Sequence, residues 1–117
     1  MEILVIDDDA NIRLLLRSFL SKLGHEVHEA DDGDTGLDVL KREKDIGLVI
    51  LDMKMKRMHG KETCVLIKAL RPGLPVIVSS GNLTDSDEAE MRGMGVKSFL
   101  RKPYPLDALK AAVEANT

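Results

Sequence analysis

Short runs of Ile, Val and Leu alternate along the chain with longer stretches in which apolar residues recur every three or four positions. Glu2 to Ile6 (EILVI) reads as a strand. Ile12, Leu15, Leu16, Phe19, Leu20 and Leu23 then fall on one side of a helix, with Asp9 a candidate N-cap and Gly24 a stop. Glu26 to Ala30 (EVHEA) alternates as a thinner strand near a sheet edge, and Asp31-Asp32-Gly33 leads into a second helix from about Asp34 to Glu43. Ile46 to Leu51, the most apolar run, predicts a central third strand. A helix from about Lys61 to Leu70 stops at Arg71-Pro72-Gly73. Pro75 to Ser79 is the fourth strand. Thr84 or Asp85 caps a fourth helix ending near Gly95, whose Gly93 and sparse apolar face predict a loosely held, mobile element. Val96 to Arg101 and a helix lined by Leu106, Leu109, Ala112 and Val113 complete the pattern. Apolar strands alternating with amphipathic helices predict an α/β fold, five βα units around an open, doubly wound parallel sheet.

Composition narrows the class without changing that picture. The 117 residues fit one domain, residues 1–117, large enough for a core without disulfides. A net charge of −3 gives no general drive toward nucleic acid or membrane, and no apolar run approaches the roughly 20 residues of a bilayer span. The single cysteine, Cys64, lies within a helical pattern and reads as a small core residue. With no leader-like opening, the expected setting is reducing and cytoplasmic.

In an open parallel sheet the site lies beyond the carboxyl ends of the strands, where the winding reverses. Four strands deliver polar groups there: Asp7-Asp8, Asp52, Ser79-Ser80-Gly81 and Arg101-Lys102-Pro103. Three carboxylates brought together repel one another and invite a hard divalent cation, Mg2+ or Mn2+. Two Asp ligands and a backbone carbonyl would leave coordination positions for a phosphoryl oxygen. Lys102 and a hydroxyl at Ser80 would bind the same anion, and Asp52, held by the most apolar strand, is the candidate nucleophile for phosphorus. Taken singly the signals are weak. Asp7, Asp8 or Asp9 can cap the first helix, Asp52 can be a turn residue, and only one of Ser79 and Ser80 should face the anion. His25, His28 and His59 lack metal-ligand spacing and read as solvated surface residues, and Met53, Met55 and Met58 as loop packing, while Lys54, Lys56 and Arg57 read as a solvated face.

In combination, VIDDD, LD, IVSSG and FLRKP, in order at successive strand ends, resemble the receiver domain of two-component response regulators, over residues 2–115. The resemblance implies a flavodoxin-like strand order 2-1-3-4-5. It also implies phosphoryl transfer to Asp52 from a sensor histidine kinase or histidine phosphotransfer protein, with Mg2+ (or Mn2+) bound by Asp7, Asp8, Asp52 and the backbone carbonyl of Lys54. Such a domain is a switch supplying its own phosphotransfer and autodephosphorylation groups, not an enzyme in the ordinary sense. Ser80 would move toward the phosphoryl group and Phe99 turn inward, reshaping the face of the fourth helix, fifth strand and fifth helix for a downstream protein or a fused output or kinase domain. Lys54 and Asn82 occupy the positions that tune phosphoryl lifetime, and a cis bond is expected at Lys102-Pro103. Met55-Lys56 stands where Met-Pro is usual, His59 where an acidic residue is usual, and Phe99 where tyrosine is commoner. The wording SSG and LRKPY resembles receivers attached to hybrid histidine kinases.

Other readings fit less well. An aspartate-nucleophile phosphatase would place its nucleophile on its first strand, in an Asp-x-Asp arrangement, and usually carry a cap domain, whereas the candidate nucleophile here ends the third strand. A flavodoxin-like cofactor binder would need a phosphate-cradling loop where this chain has three aspartates. A degenerate receiver acting only as an interaction module would lack part of the set Asp7, Asp8, Asp52, Ser80 and Lys102, which is complete.

Overall fold

The computed structural model describes residues 1–54 and 59–117. The readings placed on Met55, Lys56, Arg57 and Met58 lie outside the described residues. The elements run β1 (Glu2–Ile6), α1 (Ala10–Lys22), β2 (Glu26–Ala30), α2 (Gly33–Arg42), β3 (Ile46–Asp52), α3 (Gly60–Leu70), β4 (Val76–Ser80), α4 (Asp85–Gly93), β5 (Ser98–Arg101) and α5 (Leu106–Ala115). The strands form one sheet in the order β2-β1-β3-β4-β5, every pairing parallel.

Because successive side chains along a strand point to opposite faces, each apolar run feeds two cores at once. Leu4, Ile6, Val49, Leu51 and Val78 join Cys64, Ile67 and Met91 in one layer. Ile3, Val5, Leu48, Ile50 and Ile77 meet Leu16, Leu20, Leu109 and Val113 in the other. The sheet is thus buried on both faces, which explains runs such as EILVI that lack polar alternation. After β1 the chain winds to β2 on one side and then to β3 on the other, so the crevice of the switch point opens between the ends of β1 and β3.

Several boundaries differ from the sequence reading, each for a local reason. β4 runs one residue later, because Pro75 has no N–H to give and contributes only its carbonyl, which accepts from Val49 N–H at 3.1 Å. β5 begins at Ser98 rather than Val96; the Val96 N–H donates to the Met91 carbonyl and its side chain is buried, so it closes α4 instead of extending the sheet. Gly24 and Gly95 take positive φ of 90° and 100° just past α1 and α4, the turn that glycine makes cheaply. α2 starts at Gly33, capped by Asp32, whose carboxylate accepts from Thr35 N–H at 2.8 Å. The histidines are not simply solvated. His28 pairs with Glu2 at 2.9 Å, His25 Nδ1 lies 3.2 Å from the N-terminal ammonium, and His59 caps α3 by accepting from Lys61 N–H.

α4 is attached in an unusual way. Met91 is its only buried residue. A capping box joins Thr84 and Asp87, while Lys61 of α3 reaches Asp87 at 2.6 Å and Glu90 at 2.9 Å. The sparse apolar face expected from the sequence is present, and charge supplements the missing burial. Among the described residues no helix is long and apolar enough to cross a membrane.

Candidate functional site

β1 and β3 end side by side, so Asp7 and Asp52 emerge from adjacent strands into the crevice. Both are buried, at 3% and 6% exposure, whereas Asp8 is exposed. Acidic oxygens of Asp7, Asp8 and Asp52 lie within 4.8 Å of one another. The three consecutive aspartates divide their labour. Asp9 caps α1, accepting from Asn11 and Ile12 N–H, whereas Asp7 accepts the Asp9 N–H at 2.9 Å and turns toward the crevice. Arg13, one turn into α1, donates to the Asp7 carbonyl at 2.7 Å and pairs with Glu29 at 3.3 Å, bracing the acidic turn from outside. Sequence reasoning overlooked Arg13; its signal was a cation amid the apolar positions of α1.

Lys102, from the end of β5, brings its ammonium to 3.3 Å from both Asp7 and Asp52. Burial pushes the Asp52 carboxyl above the usual carboxylate range and the Asp7 charge pushes it further, against the pull of Lys102 and the Lys54 N–H. For Lys102, burial works to lower its pKa, but the charges of Asp52 and Asp7 prevail and hold it above the ordinary lysine value. One ammonium facing two buried carboxylates and a third nearby leaves negative charge uncompensated. That donor set, oxygen only and partly buried, fits a hard divalent cation such as Mg2+ or Mn2+.

The remaining predicted residues gather at the same edge. Ser80 ends β4 with its hydroxyl accepting from Asn82 N–H at 3.1 Å, and its carbonyl takes the Lys102 N–H at 2.8 Å. Ser79 lies on the opposite strand face, the Ile77 side, and its buried hydroxyl has no hydrogen-bond partner among the described residues. The exposed Lys54 meets Asn82: with the amide oxygen turned toward the lysine, Nζ and Oδ1 are 2.6 Å apart. Phe99 is half-buried against the α2–α4 core layer, and the Lys102-Pro103 bond is cis. Met53 N–H donates to the Ser79 carbonyl at 3.2 Å and Gly60 N–H to the Met53 carbonyl at 3.0 Å, so the backbone around Asp52 is tied on both sides. An apolar cleft of about 510 Å³ between α1 and the start of α5, lined by Ile12, Leu15, Leu16, Tyr104 and Leu106, runs up to Lys102.

This arrangement can hold a cation, present a carboxylate to an electrophile and neutralise an anion from the opposite side. The response regulator receiver domain family matches residues 3–114. The chain is 38% identical over 112 residues to the transcriptional regulatory protein GlrR of Escherichia coli K12, covering 96% of this chain and 25% of that protein. It is 34% identical over 115 residues to the response regulator MprA of Mycobacterium leprae, covering 98% of this chain and 50% of the relative. A crystal structure of a response regulator receiver protein from Pseudomonas putida superposes with a TM-score of 0.93 at 32% identity, covering 97% of this chain and 95% of that one. The chain therefore spans about a quarter to a half of the length of these curated relatives. With residues 3–114 matched and the acidic crevice in the place the strand order demands, the chain belongs to the receiver domains of two-component response regulators.

Proposed function

We propose that this chain is a single receiver unit spanning residues 1–117 that accepts a phosphoryl group on Asp52 from phosphohistidine of a sensor kinase or phosphotransfer protein. The observation that carries the reading is Lys102 Nζ standing 3.3 Å from both Asp7 and Asp52, a cation already aimed at the oxygen that would take the anion. Asp52 attacks phosphorus with one carboxylate oxygen; a P–O bond forms as the P–N bond breaks, and the imidazole leaves with that electron pair. Lys102 and the Ser80 hydroxyl pair with the phosphoryl oxygens. Asp7, Asp8, Asp52 and the Lys54 carbonyl would hold Mg2+ or Mn2+, which when bound neutralises charge on the transferring group.

The lifetime of the aspartyl phosphate would be set by Lys54 and Asn82, whose 2.6 Å contact lies beside the acceptor and restricts the approach of water. The donor is taken to be a protein because the apolar cleft lined by Ile12, Leu15 and Tyr104 continues from Lys102, so a histidine reaching Asp52 brings its own surface over it. The face of α4, β5 and α5 would carry the response to an output domain or partner protein, in the cytoplasm. Acetyl phosphate with Mg2+ should add one phosphoryl group to the wild type and none at this site to Asp52→Asn, read by intact mass and peptide mapping. Equal labelling of the variant would overturn the assignment.

A further inference from the structure

Phe99 has no hydroxyl to fix it, yet its exposed side is covered: the Arg92 guanidinium carbon lies 4.8 Å from the ring centroid. Arg92 is itself oriented by Glu88, one turn back on α4, at 3.4 Å. The other Glu88 oxygen lies 3.7 Å from Arg101 of β5, and Arg101 also reaches Asp85 at 3.8 Å and donates to the Leu83 carbonyl. Leu83 follows Asn82, whose N–H is bonded to the Ser80 hydroxyl. A continuous polar path thus runs from Ser80 through the 82–83 backbone, Arg101, Glu88 and Arg92 to Phe99. It crosses a helix that buries only Met91, so little packing competes with these charges in setting where α4 sits.

We propose that Glu88 is a positioning residue of the switch, which by holding Arg92 on Phe99 and Arg101 on the loop after Ser80 makes ring and hydroxyl change position together. The inference rests on the reading of Ser80 and Phe99 given above. If the Ser80 hydroxyl moves toward a phosphoryl group it gives up the Asn82 N–H; the loop that Arg101 grips then shifts, and Glu88 passes the change to Arg92 and the ring. These are surface charges, so each contact is weak and the effect is a shift of populations rather than an on–off lock. Removing Glu88 should favour the inward ring by roughly two- to tenfold.

The test reads Phe99 directly, by fluorine NMR of protein carrying fluorophenylalanine, with Phe19 as the internal reference. In unphosphorylated protein, Glu88→Gln and Arg92→Met, the latter keeping an apolar stem without the charge, should both move the Phe99 signal toward its position in the acetyl-phosphate-treated wild type. Arg92→Lys should keep it in place. An unmoved Phe99 signal in both Glu88→Gln and Arg92→Met overturns the proposal, as does a shift in Arg92→Met alone, since Glu88 would then position nothing. Mass spectrometry of the treated wild type reports separately on the acceptor. If Asp52 is unlabelled the phosphoryl reading fails, while the Phe99 signals of the untreated variants still decide whether Glu88 holds the ring.

Discussion

Replacing Gly60 by alanine tests how tightly the loop after Asp52 is closed. A Cβ at Gly60 would stand 2.6 Å from Met53 Cα, 2.9 Å from the Asp52 carbonyl oxygen and 3.0 Å from Met53 Sδ. Ordinary carbon contacts are about 3.5–4.0 Å, so the start of α3 has to retreat by roughly 1 Å, and the partners it meets first are backbone atoms that cannot rotate away. Overpacking of this kind costs about 1–3 kcal/mol. At about 4 °C per kcal/mol in a domain of this size, Gly60→Ala should melt roughly 4–12 °C below wild type. The retreat also strains the Gly60 N–H to Met53 carbonyl bond that ties the loop beside the acceptor, so Mg2+ affinity should fall with stability. Gly93→Ala is the control: among the described residues nothing beyond its own helix backbone and chain neighbours lies within 4 Å of the added Cβ, and the loss of unfolded-chain freedom should gain about 0.4–1 kcal/mol. Thermal and urea unfolding of both variants, with Mg2+ titration, decide the matter. A Gly60→Ala protein that melts with wild type and binds Mg2+ equally would refute the close approach and the reasoning built on it.

Other outcomes follow from the same geometry. Asp52→Asn should be more stable than wild type near neutral pH in the absence of metal, because burial and Asp7 raise the Asp52 pKa and its ionised form costs stability. The sign is that of a raised group: the stability is present below the unfolded carboxylate value and lost as pH rises through the folded one, so the gap between variant and wild type should close on acidification, as urea unfolding at several pH values will show. Ser79→Ala removes a buried hydroxyl without a partner among the described residues and should be neutral or stabilising by up to about 1 kcal/mol, measured by the shift in urea midpoint. Thr84→Ala breaks the capping box of α4 and should lose about 1 kcal/mol in the same assay. Lys54→Ala and Asn82→Ala should both shorten the aspartyl phosphate lifetime at saturating Mg2+, since each loses the same 2.6 Å contact; slower loss in either variant counts against the lid.

What could be read from the sequence separates cleanly from what could not. Strand and helix periods are properties of neighbouring residues. EILVI and IGLVILD announced buried strands, and the aspartates that end them announced an acidic edge, because in a parallel sheet every strand end lies on the same side. Boundaries failed where a non-neighbour decided them. Val96 has the character of a strand residue, but the Met91 carbonyl claims its N–H; His28 looks solvated until Glu2, across the β1–β2 pair, is placed beside it. Cys64 was read as core from its helical spacing and is fully buried, with burial raising its thiol pKa.

The site divides along the same line. Asp7, Asp52 and Lys102 were legible because the fold alone brings strand ends together, whatever side chains lie between. Arg13, Arg92 and the grip of Arg101 on the loop before α4 were not, since each gains its role from a partner in another element that the local pattern does not mark: Glu29, Phe99 and the Leu83 carbonyl. The first group would do the chemistry of the proposed phosphoryl transfer, and the fold dictates its place. The second sets how the acidic turn is braced and how α4 is held, which many side-chain combinations could accomplish on the same backbone. Differences in switching between receivers of this fold should therefore reside in such charged side-chain contacts more than in the acidic crevice. In this chain the helix with one buried residue, α4, is where they concentrate.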